Sequence, residues 1–412
     1  MSYILRPYQE AAFTAVDQAW VNHNSVMVVM ATGLGKTVTF AHMADQFPGR
    51  VLVIAHREEL IRQSADTIHK ITGKPVAVEM GRERAGDELY GTKVTVASIQ
   101  TLSRIGRRER FHPDHFALVI VDEAHHAAAA TYREVLDYFA SARKLLVTAT
   151  PQRGDGLALG LVCDCVAFDY GIEPAIDDGW LVPVKQTVVK VDGLDFSSAR
   201  TLAGDFNEAD LERILTEEQP LHEMCASAVP IIGDSQTLWF CVNVAHSQAV
   251  AGVLSRYASG EVAFLSGKTD KSERREKVSA YKKGRIQHMV NCGLFLEGFD
   301  APATSVVVMA RPTKSLTLYT QVLGRGTRPL PGVVDGPHLT TPDARKQSIA
   351  MSQKPAMVVI DYAGNAGRHK IVTAADVLGG RYDAPTREYA KETLAQDRKS
   401  TRLNSSHSDR SR

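Results

Sequence analysis

Two successive series of short apolar segments are the feature that most constrains the fold of this 412-residue chain. In each series, aliphatic and β-branched runs alternate with stretches of helical periodicity, and a mixed segment separates the two series. Runs that are apolar throughout, rather than at alternate positions, fit strands that helices cover on both faces. The runs are 26–30, 51–55, 94–97, 118–121 and 145–148, then 238–242, 262–265, 288–292, 306–309 and 357–360.

This pattern predicts an α/β chain with two tandem domains, each a mainly parallel sheet covered by helices. We assign residues 1–190 to the first domain, 191–219 to a linker, 220–380 to the second domain and 381–412 to a tail. Residues 184–191 are expected to form a strand that returns along the first domain, and residues 331–355 to form a surface loop.

The tail after about Arg398 has almost nothing to bury and no amphipathic period. It resembles translated sequencing-adapter sequence, so we leave it out of the functional argument and expect the natural C-terminus to be missing.

Composition narrows the class of protein. A hydrophobic share of 44% and a charged share of 23% are typical of soluble globular proteins, and no run approaches the ~18 apolar residues of a membrane span. Five cysteines without framework spacing indicate a reducing compartment, so we predict a cytoplasmic protein without a membrane partner. The net charge of +1 gives no bulk attraction to nucleic acid.

Basic residues are nevertheless concentrated locally, with Arg104, Arg107, Arg108 and Arg110 just before a predicted strand. Taken alone, such a run is more often a solvated face than a nucleic-acid contact.

Residues 30–37, Met-Ala-Thr-Gly-Leu-Gly-Lys-Thr, predict a strand end, a glycine-bearing loop and a helix start. Backbone N–H groups of such a loop cradle phosphates, Lys36 would reach the β and γ oxygens, and the Thr37 hydroxyl would ligate Mg²⁺. Met30 stands where the phosphate-loop pattern has its first glycine, while Gly33 and Gly35 keep the close backbone approach. The predicted ATP-binding residues of this loop are Thr32, Gly33, Leu34, Gly35, Lys36 and Thr37.

Asp122 and Glu123 follow an apolar run, which places them at the carboxyl end of a strand, where open α/β sheets bind ligands. Asp122 would hold Mg²⁺ through water, and Glu123 would activate or orient the attacking water. His125 and His126 could be metal ligands. We favour His125 as a coupling residue that faces the second domain and His126 as a helix surface residue.

Arg325 and Arg328 lie three positions apart, close to Gln321. If the stretch is helical, this spacing directs both guanidinium groups to one side. An arginine delivered to the γ-phosphate stabilises the charge of the transition state, so we predict catalytic roles for both, with hydrolysis where the two domains meet. The alternative is two exposed arginines on a basic helix.

In their order along about residues 3–370, these segments resemble the motifs of superfamily 2 DEAD/DEAH-box helicases, closest to a branch that is RadD-like and type III restriction Res-subunit-like. The resemblance implies two RecA-like P-loop domains that use ATP and Mg²⁺ to move along a nucleic-acid strand. It also implies adenine recognition by Gln9 with Arg6, coupling of hydrolysis to domain motion by Thr148 and Thr150 in the segment 148–151, and nucleotide contacts by Gly298 and Asp300. Gln321 joins the two arginines in the catalytic motif.

The same resemblance implies backbone contacts to one nucleic-acid strand from two segments of the first domain. The residues are His56, Arg57, Ser98, Gln100 and Thr101. We see no base-reading fold, so recognition without sequence specificity is predicted. DNA is favoured over RNA through the branch resemblance, with a role in DNA repair, repair or restriction proteins as partners, and a monomeric state.

The prediction is therefore an ATP-dependent nucleic-acid motor, a DNA helicase. A duplex-DNA translocase subunit of a restriction or repair complex, without strand separation, is one alternative. An ATP-clamped binding scaffold is another, although it has no need for all the hydrolytic residues. A small-molecule P-loop kinase would leave the second domain unexplained.

Overall fold

Residues 4–86, 92–150, 160, 162–366 and 371–378 are described by a computed structural model of the chain. The contacts between residues divide the chain into unit 1, Met1–Gly171, and unit 2, Ile172–Arg412. The predicted tail, 381–412, lies outside the described residues. In the part of the chain that is described, the helices are too short or too polar to cross a membrane.

Unit 1 contains a parallel sheet in which every described strand pairs with its neighbours in the same direction. The order across the sheet is β3-β4-β2-β5-β6-β1-β7. The strands are β1 (Ser25–Met30), β2 (Val51–Ala55), β3 (Val76–Glu79), β4 (Val94–Ser98), β5 (Leu118–Asp122), β6 (Arg143–Thr148) and β7 (Cys165–Tyr170). The five apolar runs predicted for this half lie within these strands.

The described helices of unit 1 are α1 (Pro7–Ala19), α2 (Lys36–Gln46), α3 (Glu58–Thr72), α4 (Ile99–Leu102), α5 (Ile105–Arg108) and α6 (Ala130–Tyr138). Helix α1 precedes β1, and the other described helices lie between strands along the chain. Helix α3 illustrates the local rules, because Glu58 and Glu59 lie in its first turn and Lys70 in its last, where each sign of charge suits the helix dipole. It ends at Gly73 in the left-handed conformation.

Both faces of the first sheet are buried along its central strands. Val119 and Val121 pack into a core with helix α6 on one face, while Leu118 and Ile120, which point the other way, are equally inaccessible. Since parallel strands need a crossover between them, helices cover both sides, and this explains why the central strands are apolar at most positions.

Unit 2 contains a second parallel sheet, in the order β12-β13-β11-β14-β15-β8, and a short hairpin of β9 and β10. The described strands are β8 (Val184–Asp195), β9 (Thr201–Leu202), β10 (Asp205–Phe206), β11 (Thr237–Phe240), β12 (Val262–Leu265), β13 (His288–Asn291), β14 (Val306–Met309) and β15 (Met357–Asn365). The helices are α7 (Ile172–Asp177), α8 (Glu208–Leu215), α9 (Glu218–Ile232), α10 (Val244–Tyr257), α11 (Lys271–Lys282), α12 (Leu316–Gly326), α13 (Pro342–Ala350) and α14 (Ala374–Val377). The two parallel sheets, each with helices between its strands, confirm the predicted α/β fold class.

The placement of β8 corrects the predicted domain boundary. This strand pairs in parallel with β15, from Val184 opposite Met357 onward, so it belongs to unit 2 and does not return along the first domain. The predicted linker is likewise part of unit 2, because Leu194, Phe196 and Leu211 lie in its core. An apolar strand can complete the edge of either sheet, and its local sequence does not state which sheet offers the matching edge.

The segment 331–355 is also more ordered than a surface loop. It contains helix α13, which buries Arg345 and Ile349, and it continues to Lys354, whose residue surface is 1% exposed. Most of the Pro, Gly and Asp residues that suggested a loop precede the helix.

All five cysteines are free, with Cys225 and Cys241 buried and the other three half-buried. Burial raises the pKa of the Cys163 thiol to about 11 and that of Cys225 to about 12, and it also raises the pKa values of Cys165, Cys241 and Cys292. The thiols therefore remain protonated near neutral pH.

The buried His246 generates a prediction about acid stability. Its Nδ1 accepts the Val242 N–H at 3.3 Å, and burial, assisted by Arg311, lowers the pKa of the ring to about 4. The unfolded chain binds a proton at this residue below about pH 6.5, whereas the folded chain does not, so this contribution to stability is present above pH 6.5 and is lost as the pH falls toward 4.

His246→Asn puts a non-titrating oxygen in place of Nδ1. We expect the loss of unfolding free energy between pH 7 and pH 5 to be smaller in this variant than in the wild type, by about 2 kcal/mol. Denaturant unfolding at the two pH values measures the difference. Equal losses in both proteins would contradict the assignment.

Candidate functional site

The phosphate loop joins β1 to α2 and is shaped by two glycines with positive φ, Gly33 at +94° and Gly35 at +78°. A Cβ added to Gly35 would lie 2.8 Å from Nε2 of Gln9, so this position has room only for glycine. Met30, which replaces the first glycine of the motif, is the last residue of regular strand β1. Its carbonyl accepts a hydrogen bond from Lys36 Nζ at 3.4 Å, and the substitution leaves the glycine turn intact.

Helix α1 contacts the phosphate loop through neighbouring side chains. Nε2 of Gln9 and the hydroxyl of Tyr8 both donate to the Leu34 carbonyl, at 3.1 and 2.9 Å, while Oε1 of Gln9 accepts the Arg6 N–H at 2.9 Å. The predicted adenine-reading residues thus lie against the phosphate loop. Sequence reasoning missed Tyr8, which also stacks on Tyr170 with ring centroids 5.1 Å apart, although its position between Pro7 and Gln9 in the same motif was a usable signal.

Asp122 and Glu123 lie at the carboxyl end of β5, as predicted. Both are buried, and the Asp122 carboxylate accepts the Glu123 N–H at 2.9 Å. Glu123 has the left-handed backbone conformation, with φ +50° and ψ +54°, which a residue with a Cβ adopts only under constraint. Among the described residues, Glu123 Oε2 has no hydrogen-bond partner and lies 3.5 Å from Nδ1 of His125.

The predicted coupling residues meet in the same unit. Nδ1 of His125 lies 3.4 Å from Oγ1 of Thr148, and that hydroxyl donates to the Thr150 carbonyl at 3.2 Å. A continuous set of contacts therefore runs from Glu123 through His125 to the end of β6. Pro151 of the same motif lies outside the described residues.

His126 is not the exposed helix residue that we predicted. It lies half-buried in a short 3₁₀ helix, Ala124–His126, between the rings of His125 and His56, with centroid distances of 4.1 and 4.4 Å. The 3₁₀ turn brings the ring back toward the sheet edge, which a helical projection of the sequence could not show.

Most of the residues predicted to bind nucleic acid are brought together at the carboxyl edge of neighbouring strands β2 and β4, where Ala55 pairs with Ser98. Nε2 of Gln100 donates to the His56 carbonyl at 2.9 Å, and the Ser98 hydroxyl donates to Oε1 of Gln100 at 2.6 Å. A cavity of about 260 Å³ opens here, lined by His56, Gln100, Ser103, His126, Thr131 and Tyr132 among others.

Of the two remaining predicted contacts, Arg57 lies at this edge and Thr101 does not. Arg57 is the residue before helix α3 and its Nε approaches the His56 ring at 3.3 Å, so it lies at the same edge. Thr101 is buried, and its hydroxyl accepts the Gly81 N–H at 3.1 Å, which gives it a structural role and leaves it poorly placed to contact a strand.

Two arginines of the basic cluster before β5 form ion pairs inside unit 1. Glu79 is fully buried at the end of β3, and both Arg107 and Arg110 form ion pairs with it. A buried carboxylate requires such partners, so these two arginines are neither a simple solvated face nor a free phosphate-binding surface.

In unit 2, one loop binds both predicted catalytic arginines. Arg325 lies in the last turn of α12, and its two terminal nitrogens donate to the carbonyls of Phe299, at 2.8 Å, and Leu296. Arg328 follows the end of the helix and forms an ion pair with Asp300. Helical spacing therefore does not align the two residues, because α12 ends at Gly326; their shared partner is the loop 296–300.

The remaining predicted residues of unit 2 belong to the same elements. Gly298 lies in the loop with φ +69°, and Gln321 is buried on α12. The structure thus assembles Gln321, Arg325, Arg328, Gly298 and Asp300 around one loop and one helix.

Comparison with known proteins gives the same division of the chain. Residues 2–153 match the family described as "Type III restriction enzyme, res subunit", and residues 224–329 match "Helicase conserved C-terminal domain". A Saccharomyces cerevisiae protein named "Putative ATP-dependent helicase IRC3" is 32% identical over 79% of this chain and 49% of its own length. The "DNA 3'-5' translocase XPB2" of Sulfurisphaera tokodaii is 24% identical over 78% of each protein.

A solved fragment of a putative HsdR subunit of a type I restriction enzyme from Vibrio vulnificus has the same fold, with a TM-score of 0.67 and 22% identity over 92% of this chain and 67% of that one. The chain spans about half the length of the yeast relative.

The Gly35–Gln9 contact generates a prediction. Gly35→Ala should reduce affinity for a nucleoside triphosphate about tenfold or more, because the new methyl group displaces the Gln9 amide from the phosphate loop. Gly73→Ala is the matched control. It has a similar φ of +68° but nothing within 4 Å of the added Cβ, so it carries the same backbone penalty of roughly 1–2 kcal/mol with normal affinity. Titration with a fluorescent ATP analogue measures both, and equal affinities would refute the role of the contact.

Proposed function

We propose that this chain is an ATP-hydrolysing motor that moves along DNA; it belongs to the superfamily 2 ATP-dependent helicases and translocases, in their Res-like branch. The observation that carries the proposal is the phosphate loop, where Gly33 and Gly35 have positive φ and a Cβ added to Gly35 would lie only 2.8 Å from Nε2 of Gln9. Such a loop at a helix N-terminus binds phosphate through its N–H groups and the helix dipole.

The donor set fits Mg²⁺ as well. Thr37 and Asp122 would hold the ion, since hydroxyl and carboxylate oxygens are the ligands that Mg²⁺ prefers. When bound, Mg²⁺ neutralises charge on the β and γ phosphates. Asp122 is buried and held by the Glu123 N–H, so its carboxylate is oriented before any ligand arrives.

Glu123 is the residue we assign to orienting the attacking water. Its left-handed backbone sets the direction in which the side chain leaves the main chain. Its buried Oε2 needs a hydrogen-bond donor, which a water molecule can supply. The neighbouring His125 and Thr148 would transmit the occupancy of this position to the end of β6.

Arg325 and Arg328 would act on the transition state. In unit 2 their guanidinium groups bind loop carbonyls and Asp300, which keeps them ordered while no phosphate is present. During turnover Arg325 would exchange its carbonyl partners for phosphate oxygens of the nucleotide, since the charge on a transferring phosphoryl group is a stronger partner than a neutral carbonyl. Arg328 would exchange one anionic partner, Asp300, for another.

Nucleic acid would be held at the edge formed by His56, Arg57 and Gln100 through contacts to phosphate and sugar, which carry no sequence information. DNA is favoured because two of the similar proteins are named as a DNA translocase and a restriction enzyme subunit. Restriction or repair proteins would be the partners of a monomeric chain, in a reducing cytoplasm to which five free thiols are suited.

Movement along duplex DNA without strand separation is the second candidate function. The similarity to a protein named a translocase supports it, and strand separation needs an additional element that the motor residues do not provide. A displacement assay with a labelled strand, run beside a triplex-displacement assay, distinguishes the two functions. An ATP-dependent clamp is less well supported, because a clamp does not require Glu123 and both arginines.

We predict that single-stranded, duplex or forked DNA stimulates ATP hydrolysis by the wild-type chain and that RNA does so less. Lys36→Ala should abolish turnover with every stimulant, because the phosphate oxygens lose their fixed cation. Steady-state phosphate release in the presence of each nucleic acid is the measurement. No stimulation by any nucleic acid would overturn the proposed motor, and stimulation by RNA alone would overturn the preference for DNA.

Arg325→Ala should leave ATP affinity within about twofold and lower the hydrolysis rate by about 10³-fold, as expected for a group that binds only the transition state. Arg256→Ala, which removes an exposed arginine near the end of α10, is the control and should behave as wild type. Single-turnover hydrolysis combined with an ATP titration separates the two effects. Weaker binding at an unchanged single-turnover rate would exclude this role for Arg325.

A further inference from the structure

Lys354 is a buried lysine outside every motif considered so far. It follows helix α13, its residue surface is 1% exposed, and its Nζ donates hydrogen bonds to the carbonyls of Pro302 and Arg328, each at 2.7 Å. The Lys354 side chain thus joins Pro302, two residues after the loop 296–300, to the backbone of Arg328.

The environment of Lys354 is unfavourable to its charge. Burial, and to a smaller extent Arg328, lower the pKa of its amine to about 7, and Asp300 opposes this shift. A side chain that only filled space here would be better as an apolar residue of similar shape, because burying an ammonium group carries a desolvation penalty. The two hydrogen bonds to backbone carbonyls are what the lysine adds.

We propose that Lys354 is a positioning residue that holds the segment 296–302 and the backbone of Arg328 in register throughout the ATPase cycle. The inference rests on the proposed function, and it adds a residue that the family motifs do not include. It also explains why the segment 331–355 enters the interior of unit 2.

The contacts of this loop with the two arginines and with Lys354 use different kinds of atoms. Arg325 binds the loop through its guanidinium group, and so does Arg328 through its pair with Asp300, so both contacts are lost when those groups turn to a phosphate. Lys354 binds only main-chain carbonyls, which take no part in phosphate binding. The hydrogen bonds of Lys354 therefore form a connection between the segment 296–302 and Arg328 that can persist while the two arginines change partners.

The segment that carries Lys354 is itself anchored. Arg345 on helix α13 is buried, donates to the carbonyls of Asp178 and Leu339 at 2.9 and 3.0 Å, and lies over the Trp180 ring at 3.9 Å. Val182 N–H donates to the Thr327 carbonyl at 2.8 Å, beside Arg328. Lys354 thus reaches the arginine motif from a fixed support.

Lys354→Met tests the proposal, because methionine keeps the length and apolar stem of lysine and removes its donors. With DNA present, we expect kcat for ATP hydrolysis to fall about tenfold or more while KM for ATP stays within about twofold, as for a misplaced catalytic group. Lys346→Met, the same change at an exposed position of helix α13, is the control and should retain the wild-type kcat.

A double-variant measurement separates positioning from general stability. If Lys354 acts through Arg328, Lys354→Met should lower the single-turnover rate by less than about twofold in an Arg328→Ala background, whereas independent effects multiply. Full multiplication of the two losses would overturn the inference, and so would an unchanged kcat in a folded Lys354→Met protein.

Lys354→Gln, whose amide keeps two N–H donors on a shorter side chain, is the second variant. It should recover part of the lost kcat at unchanged KM, and failure of both variants to fold would show a requirement for folding rather than turnover, against the inference. A wild-type chain that does not hydrolyse ATP refutes the proposed function itself, whereas active wild type with an equally active Lys354→Met refutes only the role of Lys354.

Discussion

Hydrogen bonds from side chains to backbone carbonyls hold three of the functional loops of this chain: the phosphate loop, the loop after β2 and the loop that binds the two arginines. Loops that follow parallel strands leave main-chain carbonyls without partners in a sheet or helix, and such groups must be satisfied when they are not solvated. Tyr8 and Gln9 supply the donors at Leu34, Gln100 at His56, Arg325 at Leu296 and Phe299, and Lys354 at Pro302 and Arg328. The residues that carry the proposed chemistry therefore also fix the loops in which it takes place.

A second group of contacts fixes the elements that carry these loops. The carboxyl of Asp361 on β15 accepts hydrogen bonds from Gln186 on β8, at 2.5 Å, and from the Tyr319 hydroxyl on α12, at 2.6 Å. Burial raises the pKa of this carboxyl to about 6, and the two donors oppose that shift. The buried carboxyl of Asp361 thus connects the edge strand β8, its neighbour β15 and helix α12. In unit 1, the buried Glu79 similarly forms ion pairs with both Arg107 and Arg110.

Much of the fold could be predicted from the sequence, because burial on both faces makes parallel strands apolar throughout and the strand-to-loop boundaries carry glycine or acidic residues. The strand Val184–Asp195 could not be assigned, since its partner β15 lies about 170 residues later and a local apolar pattern does not specify a distant edge. The phosphate loop and the Asp122–Glu123 pair could be identified from the sequence, because each follows an apolar run and has a recognisable motif. Three features depend on tertiary packing: the left-handed backbone of Glu123, the Tyr8 contact and the buried Lys354. The composition around Lys354 predicted an exposed loop.

The protonated native thiols have a practical consequence for following motion in this protein. Maleimide dyes attack thiolates, and burial keeps all five native sulfhydryls from ionising readily. A cysteine engineered at an exposed position of each unit should be alkylated first, at moderate pH and short reaction times. Single-molecule fluorescence energy transfer could then test whether the distance between the two units changes, without a cysteine-free background, which would require five substitutions, two of them at buried positions.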